Sequence, residues 1–366
     1  MQTENEKGCR ASSLKWKVAI KSTEVVCWQM PTPQLPLKLF SGPQATNKSR
    51  FTSVELCAGG GGSAIGIERA GFSHRVVVEL DQHAVQTLRA NRPHWRVDHA
   101  DIASWSGKEF QGTDLLAAGL PCPPFSKAGK QLGEGDERNL FPHALRIISE
   151  VRPSAVLIEN VRGILDAVFD DFRHRFQRQI ESMGYRADWR LFNASDYGVP
   201  QLRPRVVFVA LRPETWKFFN WPLPEDPAPS VGEVLYDSIA KNGWSGASAW
   251  RRQADVVAPT LVGGSKKHGG PDLGPTRARK AWAGIGIDGT SLAEDAPARD
   301  FVGMPKLTVG MCALIQGFPA DWKFCGGKTA SYRQVGNAFP PPVARAVATQ
   351  IGIALSAARN LTARAA

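Results

Sequence analysis

From Phe51 onward the chain alternates short apolar runs with stretches whose apolar residues recur every three or four positions. That alternation predicts βα units stacked around a parallel sheet. The runs at 52–56, 76–79, 115–117, 155–158 and 206–210 are the expected strands. Between them, Leu140, Ala144, Leu145, Ile148 and Val151 fall on one helical face, and so do Phe169, Phe172, Phe176, Ile180 and Met183 ahead of a stop at Gly184. Such stripes are core faces. Past Leu211 the texture changes to a proline-rich run at 221–229 and then to a glycine-rich, basic stretch through Gly303, which predicts a linker and a second, smaller, loop-rich domain. Apolar patterning returns at Leu307, with Leu314, Ile315 and Phe318 before Pro319, and an alanine-rich helix over 341–358 closes the chain. The expected fold is therefore α/β, a doubly wound and mostly parallel sheet. Its parts are an extension over 1–50, a large domain over 51–211, the smaller domain over 212–305 and a segment over 306–366 that returns to the large domain. Residues 1–50 have scattered prolines and no sustained apolar period, so they are read as poorly ordered, with one stray strand at 16–20.

Composition narrows the partners. A chain of 366 residues can bury two cores. Lysine and arginine exceed aspartate and glutamate by 45 to 34, a formal charge of +11 that favours a polyanion. The six cysteines, at 9, 27, 57, 122, 312 and 325, form no CxxC pair, which argues against a zinc site and a disulfide framework and for a reducing compartment. No apolar run is long enough to span a bilayer and no export signal opens the chain, so a soluble, cytoplasmic protein is expected.

Candidate chemistry clusters at predicted strand ends. The run Cys57-Ala58-Gly59-Gly60-Gly61-Gly62 follows one strand and opens a helix, where glycine lets backbone amides approach a ligand. No Gly-Lys-Ser/Thr follows, which disfavours a phosphate loop. Glu79, twenty positions after Gly59, is placed to bind ribose hydroxyls, a feature shared by nicotinamide dinucleotides and S-adenosylmethionine. Asp101-Ile102 is suited to an adenine. Cys122 stands among Pro121, Pro123 and Pro124, which stiffen its loop; Glu159 closes the next apolar run; Arg203 and Arg205 alternate ahead of 206–210 and are expected on one face. Each has an ordinary alternative, an inert thiol, a helix cap or a solvated basic edge.

Their joint occurrence is more specific. Pro121-Cys122, Glu159-Asn160-Val161, Gln201-x-Arg203-x-Arg205, Gln316-Gly317-Phe318-Pro319 and Gln334-Val335-Gly336-Asn337-Ala338 occur in an order and spacing that resemble the cytosine carbon-5 methyltransferase family, over all but 1–50 and most of 212–305. The chain departs from the family pattern at Cys57, Pro123, Gly310 and Met311. The resemblance implies a DNA methyltransferase using S-adenosylmethionine, of the restriction-modification type, with a cognate endonuclease as a possible companion, duplex DNA as substrate and no metal. It implies Cys122 as nucleophile with Glu159, Arg203 and Arg205 in the catalytic site. Leu56, Gly59, Gly61, Glu79, Leu80, Asp101, Ile102 and Asn337 are then expected at the cofactor, and Ser126 and Thr308 at DNA. The domain over 212–305 becomes a target-recognition domain, in which Lys266, Lys267, Arg277 and Arg279 are the candidate phosphate contacts. A tRNA methyltransferase shares the catalytic motifs, but the Cys-Phe-Thr tripeptide of such relatives is missing from 206–320; a regulator without catalysis is opposed by the intact Cys122, Glu159 and Arg205.

Overall fold

The computed structural model of the chain describes residues 27–28, 51–121, 139–224, 227–264 and 270–365. Its strands are β1 (Cys27–Trp28), β2 (Phe51–Leu56), β3 (Phe72–Glu79), β4 (Val97–His99), β5 (Leu115–Gly119), β6 (Ala155–Val161), β7 (Arg186–Asn193), β8 (Pro204–Leu211) and β9 (Phe324–Cys325), and its α-helices, numbered α1 to α11 in chain order, include α2 (Gln82–Asn91), α5 (Pro213–Trp216) and α10 (Lys328–Asn337) besides those given below. Seven form the central sheet in the order β4-β3-β2-β5-β6-β8-β7. The first five in that order run parallel, and β8 is antiparallel to both β6 and β7. β8 is therefore not another turn of the parallel wind, and its antiparallel pairing carries β6 two residues past Glu159 to Val161. Two edge strands escape the sequence pattern. β4 has three residues, and β7 (RADWRLFN) is half polar and half exposed, as edge strands are when they must resist further pairing.

Side chains alternate across the sheet as a period of two requires. Val54, Leu56, Leu116, Ala118, Val156, Ile158, Phe208 and Ala210 face one layer, which holds α3 (Phe141–Val151) and α4 (Asp170–Ser182). Leu115, Ala117, Ala155, Leu157, Val207 and Val209 face the other, which holds the long helix α11 (Pro341–Ala365). Gly66 of α1 (Gly62–Arg69) lets the two helices touch, since a Cβ there would lie 2.5 Å from Ala344 Cβ and from the Pro341 carbonyl oxygen.

Between 212 and 305 the chain is more helical than its composition suggests. It contains α6 (Val231–Ala240), α7 (Ala247–Gln253) and α8 (Thr276–Gly284), and α6 starts on a capping box in which Ser230 and Glu233 bond each other's backbone. Val234, Leu235, Trp250, Trp282 and Leu307 share one buried cluster with Val77, Leu88 and Trp322, so apolar packing runs without a break from this region to the sheet. β1 pairs antiparallel with β9, with Cys27 opposite Cys325 in register, and Cys325 is disulfide-bonded, which the cysteine spacing does not predict. The expected strand at 16–20 lies outside the described residues. No described helix is long and apolar enough to cross a membrane.

Candidate active site

The carboxyl ends of β2, β3 and β5, parallel neighbours in the sheet, lie on one edge, and the space beside them is the candidate cofactor cleft. At the end of β2 the chain turns through Cys57 (φ 55°), Gly59 (φ 55°) and Gly61 (φ 91°) into α1. The two glycines serve different ends. A Cβ on Gly61 would lie 2.9 Å from both Leu88 and the Trp322 ring, whereas one on Gly59 would meet no atom within 4 Å. Gly59 thus borders open space. Glu79 ends β3 and accepts hydrogen bonds from the amides of Gly59 (2.7 Å), Leu80 (2.8 Å) and Asp81 (2.7 Å), which fix its carboxylate over the turn. Burial raises its pKa, and those three amides oppose the rise. Leu80 is 58% exposed beside it. Asp101 is exposed, with one carboxylate oxygen accepting from the Ala103 amide, whereas Ile102 and Leu56 are buried.

These residues fit a cationic nucleoside better than a dinucleotide. The acids closest in effect to Cys57 are Glu79 and Asp101, whose negative charge suits a sulfonium and repels a pyrophosphate. Among the described residues no group of three or more His, Cys, Asp or Glu is arranged to hold a metal ion.

A second constellation adjoins the cleft. Glu159 on β6 lies opposite Gly119, the last residue of β5 and three positions before Cys122 in sequence. Arg205 of β8 pairs with Val161, two residues from Glu159, and its Nε lies 2.7 Å from Glu159 Oε1. Both side chains are almost wholly buried. Desolvation raises the Glu159 pKa, and the charges of Arg205 and Arg203 partly offset it. Asn160 donates to the Leu120 carbonyl (3.3 Å) and accepts from the Val161 amide (2.9 Å), tying the carboxyl ends of β5 and β6 together.

Arg203 does not join this pair as its alternation with Arg205 predicts. It lies just ahead of β8, is fully buried, and donates to the carbonyls of Leu261 (2.9 Å), Gly336 (2.6 Å) and Ala338 (3.1 Å). The sequence reading also passes over Gln201 and Gln316 as site residues. Both are fully buried, and Gln201 Nε2 donates to Gln316 Oε1 (2.8 Å); their signal was present in the motif blocks but carried no evident chemistry.

The DNA-side candidates scatter. Cys122, Ser126, Lys266 and Lys267 lie outside the described residues. Arg277 and Arg279 are two positions apart on α8 and so do not share a face; Arg277 and Lys280, three apart and both exposed, do. Thr308 caps α9 (Val309–Ile315), its oxygen accepting from the Met311 amide (3.2 Å) while Met311 Sδ accepts from the Thr308 amide (3.5 Å). Arg162, exposed directly after β6, is a cation at the catalytic edge that the sequence reading did not single out.

Residues 51–353 match the family described as C-5 cytosine-specific DNA methylase. The chain is 51% identical over 306 residues to the type II methyltransferase M.NgoMIV of Neisseria gonorrhoeae, covering 82% of this chain and 97% of that one. It is 52% identical over 309 residues to the type II methyltransferase M.NaeI of Lentzea aerocolonigenes, covering 83% and 75%. Among solved structures, a putative DNA modification methyltransferase encoded in an Escherichia coli prophage superposes with a TM-score of 0.61 at 24% identity, covering 84% of this chain and 99% of that one. A Spodoptera frugiperda DNMT2 mutant superposes at 0.57 and 18% identity, covering 83% and 99%; at these identities the likeness concerns the fold.

Proposed function

The chain belongs to the C-5 cytosine-specific DNA methylase family, and from that membership we propose how its own residues perform the reaction. It is a DNA methyltransferase that adds a methyl group to carbon 5 of cytosine, in a family that uses S-adenosylmethionine. Carbon 5 is a poor nucleophile in the aromatic ring, so the ring must first be activated. The Cys122 thiolate adds to carbon 6, and the electron pair displaced toward carbon 5 attacks the sulfonium methyl group. Bound S-adenosylmethionine would supply that electrophilic methyl group, with the neutral thioether as leaving group. A base removes the proton from carbon 5, and the carbon 6 to sulfur bond breaks to restore the ring.

Glu159 serves the first step. Burial raises its pKa, which favours a carboxyl group that donates to or hydrogen-bonds ring nitrogen 3, where negative charge develops as sulfur adds. Arg205, held against it at 2.7 Å, binds the base oxygen and supports the same transition state. The reading rests above all on the buried Glu159–Arg205 pair beside the point where the chain leaves β5 for Cys122. A cytosine stacked in a duplex is out of reach of a buried carboxylate, so the base is flipped out, at a cost of a few kcal/mol.

For S-adenosylmethionine, Glu79 would accept from the ribose hydroxyls, Leu80 and Ile102 would pack on the adenine, Asp101 would accept from its amino group, and Leu56, Gly59, Gly61 and Asn337 would line the remainder. Residues 212–305 would read the target, with Arg277 on phosphate and Thr308 on the DNA backbone through its hydroxyl proton. The type II relatives are consistent with a restriction endonuclease of the same specificity as companion, and the enzyme would act as a monomer.

A duplex carrying 5-fluorocytosine tests the chemistry, because fluorine cannot leave as a cation and the adduct cannot resolve. Incubation with S-adenosylmethionine should give a denaturant-stable complex of protein and DNA, and Cys122→Ser should give none. A trapped complex that survives Cys122→Ser would exclude Cys122 as the nucleophile.

A further inference from the structure

The polar cage around Arg203 joins three parts of the chain that the catalytic scheme treats separately. Residues 200–202 bond the recognition region directly: the Ala258 amide donates to the Pro200 carbonyl (3.0 Å), the Leu202 amide to the Ala258 carbonyl (2.8 Å), and the Thr260 hydroxyl to the Leu202 carbonyl. Gln201 Oε1 accepts from the Leu261 amide (2.9 Å), and Gln316 Nε2 donates to the Ala338 carbonyl (2.5 Å). Arg203 closes the ring by donating to Leu261 on one side and to Gly336 and Ala338 on the other.

Beyond the cage the two backbones meet. A Cβ on Gly263 would lie 2.5 Å from Asn337 Oδ1 and 2.7 Å from the Asn337 amide nitrogen, and a Cβ on Gly336 would lie 2.4 Å from Gly263 Cα. Asn337 Nδ2 donates to the Gly264 carbonyl (3.2 Å). No side chain fits between the two strands of backbone, and Asn337 itself is exposed.

We propose that Gly263 and Gly264, on the recognition side of the chain, form part of the cofactor-binding site by holding Asn337 in place, with Arg203 as a positioning residue rather than a catalytic one. The inference rests on the assignment of Asn337 to the cofactor cleft. It makes cofactor affinity a property of residues 258–264 as well as of the glycine turn, and it places Arg205, two residues beyond Arg203, on the same support.

Calorimetric titration with S-adenosylhomocysteine in the absence of DNA reads this directly. Gly263→Ala should weaken the cofactor Kd by about tenfold or more, the effect of a displacement worth roughly 1–3 kcal/mol. Gly284→Ala, where a Cβ meets nothing within 4 Å, should bind as the wild type does. A substitution that merely unfolds part of the sample lowers the stoichiometry and leaves Kd unchanged, and that result, like wild-type affinity in Gly263→Ala, would overturn the inference. Hydrogen exchange on the wild-type protein supplies a second test that needs no variant. The cofactor product should slow exchange at 261–264 together with 336–338, and protection confined to 336–338 would contradict the proposal. Failure of the wild type itself to bind the cofactor product would instead overturn the functional reading on which this one stands.

Discussion

Glu159 and Glu55 are both buried acids whose pKa burial raises, yet their surroundings give them different tasks. Glu159 has Arg205 against it and, in the proposed mechanism, borders the reaction centre. Replacing it by Gln keeps the shape and removes the proton, so turnover should fall by about 10²-fold or more while the cofactor Kd stays within about twofold. Steady-state kinetics paired with calorimetry checks that split. Glu55 in β2 is fully buried, neither of its oxygens makes a well-formed hydrogen bond, and Ser63 and the Ala64 amide only partly ease the burial that pushes its pKa from 4.5 up to about 8. Between those values the unfolded chain releases this proton and the folded chain keeps it. Stability therefore falls as pH rises through the window and levels off above it, by at most about 1.4 kcal/mol per pH unit. Glu55→Gln should match the wild type near pH 5 and unfold at a higher temperature at pH 8.5, as thermal denaturation would show. At this scale the sequence made Glu159 and Arg205 legible through their motif blocks. Arg203 was misread because alternation describes side chains within a strand, and Arg203 sits before β8 begins, where the chain is still bonded to Ala258 and Leu261.

Strands and turns show where pattern suffices and where pairing decides. The five apolar runs are strands because each is buried on both faces, and the helical stripes become α3 and α4 because each buries one apolar face against the sheet. Strand direction is not written in an apolar run, which is why the antiparallel β8 and the extension of β6 to Val161 came only with the fold. β4 and β7 lie at the sheet edges, where half-exposed polar residues leave no apolar signature. In the glycine turn, equal-looking residues carry different loads. Gly61→Ala adds a Cβ against Leu88 and Trp322 at a positive φ and should cost about 2–4 kcal/mol of stability, lowering the denaturation midpoint. Gly59→Ala strains the backbone by roughly 1 kcal/mol but projects into open space, so it should weaken cofactor binding with little loss of stability. If Gly59→Ala bound the cofactor normally, the cleft would lie elsewhere.

For the whole molecule, the charge of +11 anticipates a polyanion, and membership of a DNA methylase family supplies one. Affinity for duplex DNA should fall steeply with salt, and replacing Arg277 and Lys280 together by Ala should reduce the slope of log K against log salt by up to about 2, measured by fluorescence anisotropy. Composition was a fair guide to partner class but not to architecture, since a region rich in glycine and proline still builds α6, α7 and α8 and packs them into the cluster around Trp322. The family blocks carried more because they mark residues whose chemistry, rather than local geometry, is constrained. The central claim is that this chain places a methyl group on carbon 5 of cytosine in DNA, through Cys122. Labelled methyl transfer to duplex DNA followed by nucleoside analysis tests it most directly. The label should appear as 5-methylcytosine and vanish in Cys122→Ser; label on an exocyclic nitrogen, or an undiminished rate in Cys122→Ser, would contradict it.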